Sequence, residues 1–227
     1  MDTRPFWPAV FKHLGIQDAS AEAAIIAAAE IRTVDSGSVI IAQDDDDDMV
    51  FIILDGEARV VLLSASGQEI WIDALQTGAV LGELAVLTSQ RRTSEIIAQT
   101  DCILACFPAR DFLELSAAHG ALGLALARIL AGRVHHTTQR MFELSALSAT
   151  GRVYAELLRI SEPSADGETR YIRPKPTWTV LAQRVNTSRE TASRTISDLE
   201  KRGLLRRVEG GFELVDPDQL SRLSSTS

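Results

Sequence analysis

Thr187-Ser188-Arg189-Glu190-Thr191-Ala192-Ser193-Arg194-Thr195-Ile196 is the stretch from which the rest of the chain is read. At 3.6 residues per turn, Arg189, Glu190 and Arg194 share one face, while Ala192, Ile196 and Leu199 supply a small apolar face that holds the helix down. Two guanidinium forks and a carboxylate within about a turn and a half suit the base edges of a DNA major groove. Upstream, Thr177 to Arg184 has a helical pattern, and Asn186-Thr187 turns from it into the second helix, which runs to Arg202 and closes at Gly203. Downstream, Leu204-Leu205-Arg206-Arg207-Val208 and Phe212-Glu213-Leu214-Val215 flank Glu209-Gly210-Gly211 as a hairpin wing. The segment predicts a winged helix-turn-helix.

Charge is distributed accordingly. The 227 residues carry a formal net charge of −8, which by itself argues against nucleic acid. Residues 1 to 149, however, hold 10 Lys+Arg against 20 Asp+Glu, and residues 150 to 227 hold 13 against 11, so the acidity belongs to the first part. Between Lys175 and Arg207 there are 8 basic and 3 acidic residues, a local excess of five positive charges where phosphates would lie.

The length and a composition of 45% hydrophobic and 24% charged residues suit two packed domains. No apolar run approaches a bilayer span and the first residues lack a signal-peptide core, so a cytoplasmic protein without membrane contact is expected. Cys102 and Cys106 sit in a strand-like stretch without nearby His ligands and read as small core residues. The four histidines, His13, His119, His135 and His136, show no nucleophile, base and orienter spacing, which argues against an enzyme.

Short helices are expected in the first forty residues, including Ala19 to Glu30. From Val39 to Phe107, β-branched runs punctuated by glycine (Val39 to Ile41, Val50 to Leu54, Ala58 to Leu63, Ile70 to Ile72, Ile103 to Phe107) indicate an antiparallel barrel or roll. Asp44 to Asp48 reads as a solvated loop between strands. From Arg110 a helical period continues to about Ser145. Within it Gly123, Ala127, Leu130, Val134, Thr137, Met141 and Leu144 are spaced 4-3-4-3-4-3, a heptad seam that predicts a parallel homodimer, the alternative being that the stripe packs on the chain's own barrel. Thr150 is expected to cap a helix from Arg152 to Ile160, followed by a polar loop from Ser161 to Glu168 and a short strand at Tyr171-Ile172.

Inside the strand-rich part, Val80-Leu81-Gly82-Glu83-Leu84 and, further on, Arg92-Thr93-Ser94 resemble a phosphate-binding cassette. A small anionic sugar phosphate calls for a fixed guanidinium, a neighbouring hydroxyl, a carboxylate for the ribose hydroxyl and a glycine for close backbone approach. Arg92, Thr93, Glu83 and Gly82 supply these; the plainer reading is a surface turn with a Glu–Arg ion pair.

Barrel, cassette, long helix and winged helix-turn-helix in this order resemble the catabolite activator protein and fumarate-nitrate regulator (CRP/FNR) family of bacterial transcription factors. The likeness covers nearly the whole chain and is closest to the cAMP-responsive type. It implies an α+β chain with a cyclic-nucleotide-binding jelly-roll-like barrel (1–118), a dimerisation helix (119–147) and a winged helix-turn-helix DNA-binding domain (148–227). It implies cAMP as effector, held by the cassette residues Val80 to Leu84 and Arg92 to Ser94, with Arg133 reaching the ligand and Glu83, and Thr137 and Thr138 touching the adenine. It further implies Ser188, Arg189, Glu190 and Arg194 at base-reading positions, Thr177, Thr179 and Lys201 on phosphates, a palindromic double-stranded DNA site, and RNA polymerase as a partner. Ser94 and Glu95 depart from the family's small, neutral residues, and the Asp44 to Asp48 run replaces a glycine-containing turn. The alternatives are a member that needs no nucleotide or senses cGMP or haem, the last because of His135 and His136, and a sensor whose C-terminal domain binds protein.

Overall fold

A computed structural model describes residues 2–64, 69–164 and 169–226. The chain forms two compact units, Met1–Val134 and His135–Ser227.

In the first unit α1 (Trp7–Leu14) and α2 (Ala19–Ala28) precede β1 (Glu30–Val34), β2 (Val39–Ile41), β3 (Met49–Asp55), β4 (Ala58–Leu63), β5 (Glu69–Leu75) and β6 (Val80–Leu81). The short α3 (Glu83–Thr88) leads to β7 (Glu95–Ala98), β8 (Cys102–Pro108), α4 (Ala109–Ala118) and α5 (Gly120–Ala146). Two antiparallel sheets result, in the orders β1-β8-β3-β6 and β2-β7-β4-β5. Strand alternation explains the two cores. Val50, Ile52 and Leu54 of β3 point toward the helices, joining Trp7, Phe11, Ile25, Phe112, Leu122 and Leu126, whereas Phe51 and Ile53 point into the barrel with Leu81, Ile96 and Leu104. Cys102 and Cys106 are free, buried members of the barrel core, and burial pushes the Cys106 thiol up to about 11.

Glu30 opens β1 instead of ending α2, whose last residue is Ala28. No strand was expected at β1, which is exposed along its length except for half-buried Val34, or at β7, a four-residue strand that opens on Glu95. The helix expected from Arg110 to Ser145 is two helices meeting at 109° across His119, which is extended at φ −117° and ψ 93°. Phe112 before the break and Leu122 and Leu126 after it all enter the same core, which the bend permits.

In the second unit the end of α5 is followed by α6 (Ala149–Arg159), β9 (Glu162–Pro163), β10 (Arg170–Ile172), α7 (Trp178–Arg184), α8 (Arg189–Lys201), β11 (Leu205–Val208), β12 (Gly211–Leu214) and α9 (Pro217–Thr226). Ser148, not Thr150, caps α6, its hydroxyl accepting from the Gly151 amide at 3.1 Å. Of the polar loop expected from Ser161 to Glu168, Glu162–Pro163 pairs with β10, and residues 165–168 lie outside the described residues. The sheet order is β11-β12-β10-β9. Val153, Leu157, Leu181, Ala192, Ile196, Leu199, Phe212 and Leu214 make its core. Among the described residues no single helix is long and apolar enough to cross a membrane.

Candidate functional site

The cassette is built around a turn that only glycine fits comfortably. Gly82, directly after β6, has φ +79°, and a Cβ there would stand 2.4 Å from Arg92 Nη1 and 2.8 Å from the Met49 carbonyl oxygen. That clearance lets Arg92 lie under the turn at 2% exposure. Its Nη1 donates to the Gly82 carbonyl at 2.8 Å, and its Nη2 donates to the Met49 carbonyl at 2.5 Å and faces the Asp47 carboxylate at 3.5 Å. Nε of Arg92 is buried with no hydrogen-bond partner among the described residues.

Glu83, one residue past the turn, is 1% exposed and pairs with Arg133 of α5, whose other Nη donates to the Val80 carbonyl at 2.6 Å. Burial pushes the Glu83 carboxyl above the usual range, and Arg133 pulls it back only in part. Of the other predicted residues, Val80 and Leu81 are buried, and Leu81 points into the barrel core. Leu84 and Thr93 are exposed and Ser94 is half-buried. The structure thus gathers Val80 to Leu84, Arg92 to Ser94 and Arg133. Thr137 and Thr138 lie in the second unit, exposed on α5.

Sequence reasoning missed Asp47 and the Met49 carbonyl as partners of Arg92. Asp44 to Asp48 is exposed, as a solvated loop should be, yet it is also fastened to the cassette: the Asp44 amide donates to the Arg92 carbonyl at 2.9 Å, and the Arg92 amide to the Asp45 carbonyl at 3.0 Å. A run of like charge gives no hint of which carboxylate finds a cation, since that depends on strands β2 and β7 meeting side by side.

In the second unit Ser188 caps α8, accepting from the Thr191 amide at 3.1 Å, and Arg189, Glu190 and Arg194 stand exposed with no ion-pair partner among the described residues. Ala192, Ile196 and Leu199 are fully buried beneath them. Thr177 caps α7, and Thr179 and Lys201 are exposed. Asn186 at φ +49° makes the turn between the two helices. Arg152, which sequence reasoning passed over, holds that turn by donating to the Val185 and Asn186 carbonyls at 2.8 and 3.0 Å. Arg202, Arg206 and Arg207 pair with Asp198, Glu213 and Glu200, so part of the local positive charge is neutralised internally.

On α5 the seam faces outward. Val134, Met141 and Leu144 are 67%, 65% and 49% exposed, Ala127 and Thr137 are exposed, and Leu130 is half-buried, whereas the stripe packed on the barrel is Leu122, Ala125 and Leu126. Gly123 has a use within the chain, since a Cβ there would come 3.3 Å from the Ser116 carbonyl oxygen of α4.

Two family descriptions match in order: the cyclic nucleotide-binding domain over residues 31–119 and the Crp-like helix-turn-helix domain over residues 151–223. The chain belongs to the CRP/FNR family. It is a transcription regulator and not an enzyme, with a cyclic-nucleotide-binding domain joined through a long helix to a DNA-binding one. Among relatives of this family, it is 28% identical to the cAMP-activated global transcriptional regulator Vfr of Pseudomonas aeruginosa over 74% of this chain and 81% of the relative. Solved CRP/FNR-family folds similar to it include CooA from Carboxydothermus hydrogenoformans, with TM-score 0.78 at 18% identity over 88% of this chain and 90% of that one. Another is the c-di-GMP responsive regulator CLP of Xanthomonas campestris, with TM-score 0.74 at 21% identity over 87% and 99%.

Proposed function

We propose that this regulator responds to cAMP and binds a palindromic DNA site as a homodimer. The observation that carries the ligand assignment is the buried pair of opposite charges around Gly82: Arg92, with one guanidinium N–H left over, and Glu83, beside an exposed Thr93 hydroxyl. A cyclic phosphodiester offers anionic oxygens to Arg92 and Thr93, and its ribose hydroxyl offers a proton to Glu83. The similarity to a cAMP-activated relative favours this nucleotide over others. Thr137 and Thr138 serve the adenine in this reading, and the parts are the barrel (1–118), the dimer helix (119–147) and the DNA-binding domain (148–227).

The homodimer is supported by the outward seam of α5, because the chain's own barrel already uses a different stripe of that helix. A two-fold dimer presents two α8 helices, each with Ser188, Arg189, Glu190 and Arg194 at base-reading positions, Arg189 and Arg194 for guanines and Glu190 for a cytosine amino group, while Thr177, Thr179 and Lys201 hold phosphates and set the register. RNA polymerase is the partner that a CRP-type regulator implies.

One observation favours a second reading. Arg92 already has carbonyl partners and the Asp47 carboxylate, so it also serves as a staple for the Asp44 to Asp48 loop, as in a regulator that needs no nucleotide. Isothermal calorimetry with cAMP, cGMP and c-di-GMP on the parent and Arg92→Ala separates the two. Saturable cAMP heat that is lost in Arg92→Ala supports the first; no heat from any of the three supports the second.

A further inference from the structure

Glu156 of α6 is 2% exposed and receives three guanidiniums: Arg159 on its own helix, Arg140 from α5 at 3.4 Å and Arg184 from the end of α7 at 3.3 Å. Arg159 donates in addition to Glu143 of α5, which is 7% exposed. Two carboxylates and three guanidiniums therefore join α5, α6 and α7 within the second unit. In residues 135–146 of α5, Glu143 is the one buried residue, and Met141, Phe142 and Leu144 are exposed. The end of α5 thus holds the reading domain by charge, with little apolar packing.

That difference matters physically. A close-packed apolar contact resists rearrangement until it is broken as a whole. An ionic contact with a wet rim exchanges partners more readily, and the arginine side chains here keep 19% to 27% of their exposure. With three cations for two anions, one guanidinium always shares a carboxylate, so a partner can be exchanged without leaving a carboxylate bare. Such an element has the discrete arrangements that an allosteric joint needs.

We propose that this five-residue node is an ionic latch that fixes α7 and α8 on the end of α5, with Glu156 the positioning residue that makes DNA affinity depend on ligand. The coupling role rests on the chain being a ligand-responsive DNA reader; the latch itself does not. Glu156 touches neither DNA nor nucleotide in this scheme, and acts through the orientation of Arg189, Glu190 and Arg194.

Two measurements on the full chain test it. In the first, spin labels at Gln139→Cys and Glu209→Cys, in labelled chains diluted with unlabelled ones, report the distance between α5 and the wing without any DNA. Selective labelling is feasible because Cys102 and Cys106 are buried. The parent should give one narrow distribution at low salt. Glu156→Gln and the milder rim variant Arg140→Gln should be broad at the same salt.

In the second, affinity for a DNA duplex selected from a random pool is measured with and without cAMP. The ratio of the two affinities should shrink at least about fivefold in Glu156→Gln, while cAMP affinity stays at the parent's value. Distributions as narrow as the parent's in both single variants overturn the latch. A lower melting midpoint with both DNA affinities reduced equally, and the ratio intact, overturns the positioning role. A parent that binds no selected DNA removes the underlying functional reading, while the distances still decide whether the node holds.

Discussion

At the scale of single residues, the cassette is a contest over two buried charges. Glu83 is held above the ordinary carboxyl value of 4.5 because burial outweighs the attraction of Arg133. A raised folded-state value means that the ionised form costs stability: the cost is full above the folded value and disappears as pH falls below the unfolded one. Glu83→Gln should therefore raise the melting midpoint of the ligand-free protein near pH ~7, with the advantage shrinking toward pH ~4. Calorimetric melting across that range checks it, and a variant that melts below the parent at neutral pH would show that the Arg133 pair outweighs burial. Asp47 lies on the other side of the contest. Its carboxylate faces the guanidinium that a phosphate would use, so Asp47→Asn should tighten cAMP binding by roughly two- to tenfold, the range expected for removing one half-exposed like charge near an anion. Unchanged or weaker binding by titration calorimetry would mean that Asp47 supports the seat instead of competing for it.

At the scale of elements, α8 and α5 each carry an exposed stripe opposite a buried one. In α8 the buried stripe is Ala192, Ile196 and Leu199, and removing an exposed arginine should leave the fold alone. Arg189→Ala should cost about 1–3 kcal/mol in binding to a selected operator and relax base preference at one position per half-site, with melting unchanged. Equal operator affinity in a gel-shift or anisotropy titration would remove Arg189 from base reading. In α5, placing charge in the outward seam should split the proposed dimer. Met141→Glu, at a residue 65% exposed in the single chain, should sediment as a monomer at micromolar concentration and keep the parent's helix content. A Met141→Glu dimer as tight as the parent would move the interface off the seam.

At the scale of the whole molecule, the cassette around Gly82 and the helix that carries Arg189 belong to different units, and α5 runs from one into the other. Coupling between such sites is typically about 1–3 kcal/mol, so cAMP should change operator affinity roughly 5- to 150-fold, and saturating operator should tighten cAMP by the same factor. Paired titrations check the equality, and unequal factors at equilibrium would point to a third linked event such as dimerisation. Binding to DNA should also weaken steeply with salt despite the net charge of −8, because the surplus of acid lies in the first 149 residues.

Order and type of most elements were open to a reader of the sequence, because short-range patterns encode them. The glycine that needs a positive φ, the apolar stripe under Arg189 and Arg194, the heptad spacing and the turn residues of the wing are all local signals. Local signals failed where a contact between distant segments outvoted them, at the bend by His119 and the strands β1 and β7, whereas the α6 cap fell to Ser148 instead of Thr150 through an equally local bond. The sequence marked Gly82, Glu83 and Arg92 as cassette candidates by residue chemistry and family resemblance, and the structure brings them to one turn. That Arg92 is stapled to Asp47 and Met49, and Glu156 to Arg140 and Arg184, was not legible. Those pairs lie 45, 43, 16 and 28 residues apart in sequence, and a charge chooses its partner by distance in space, which folding alone supplies.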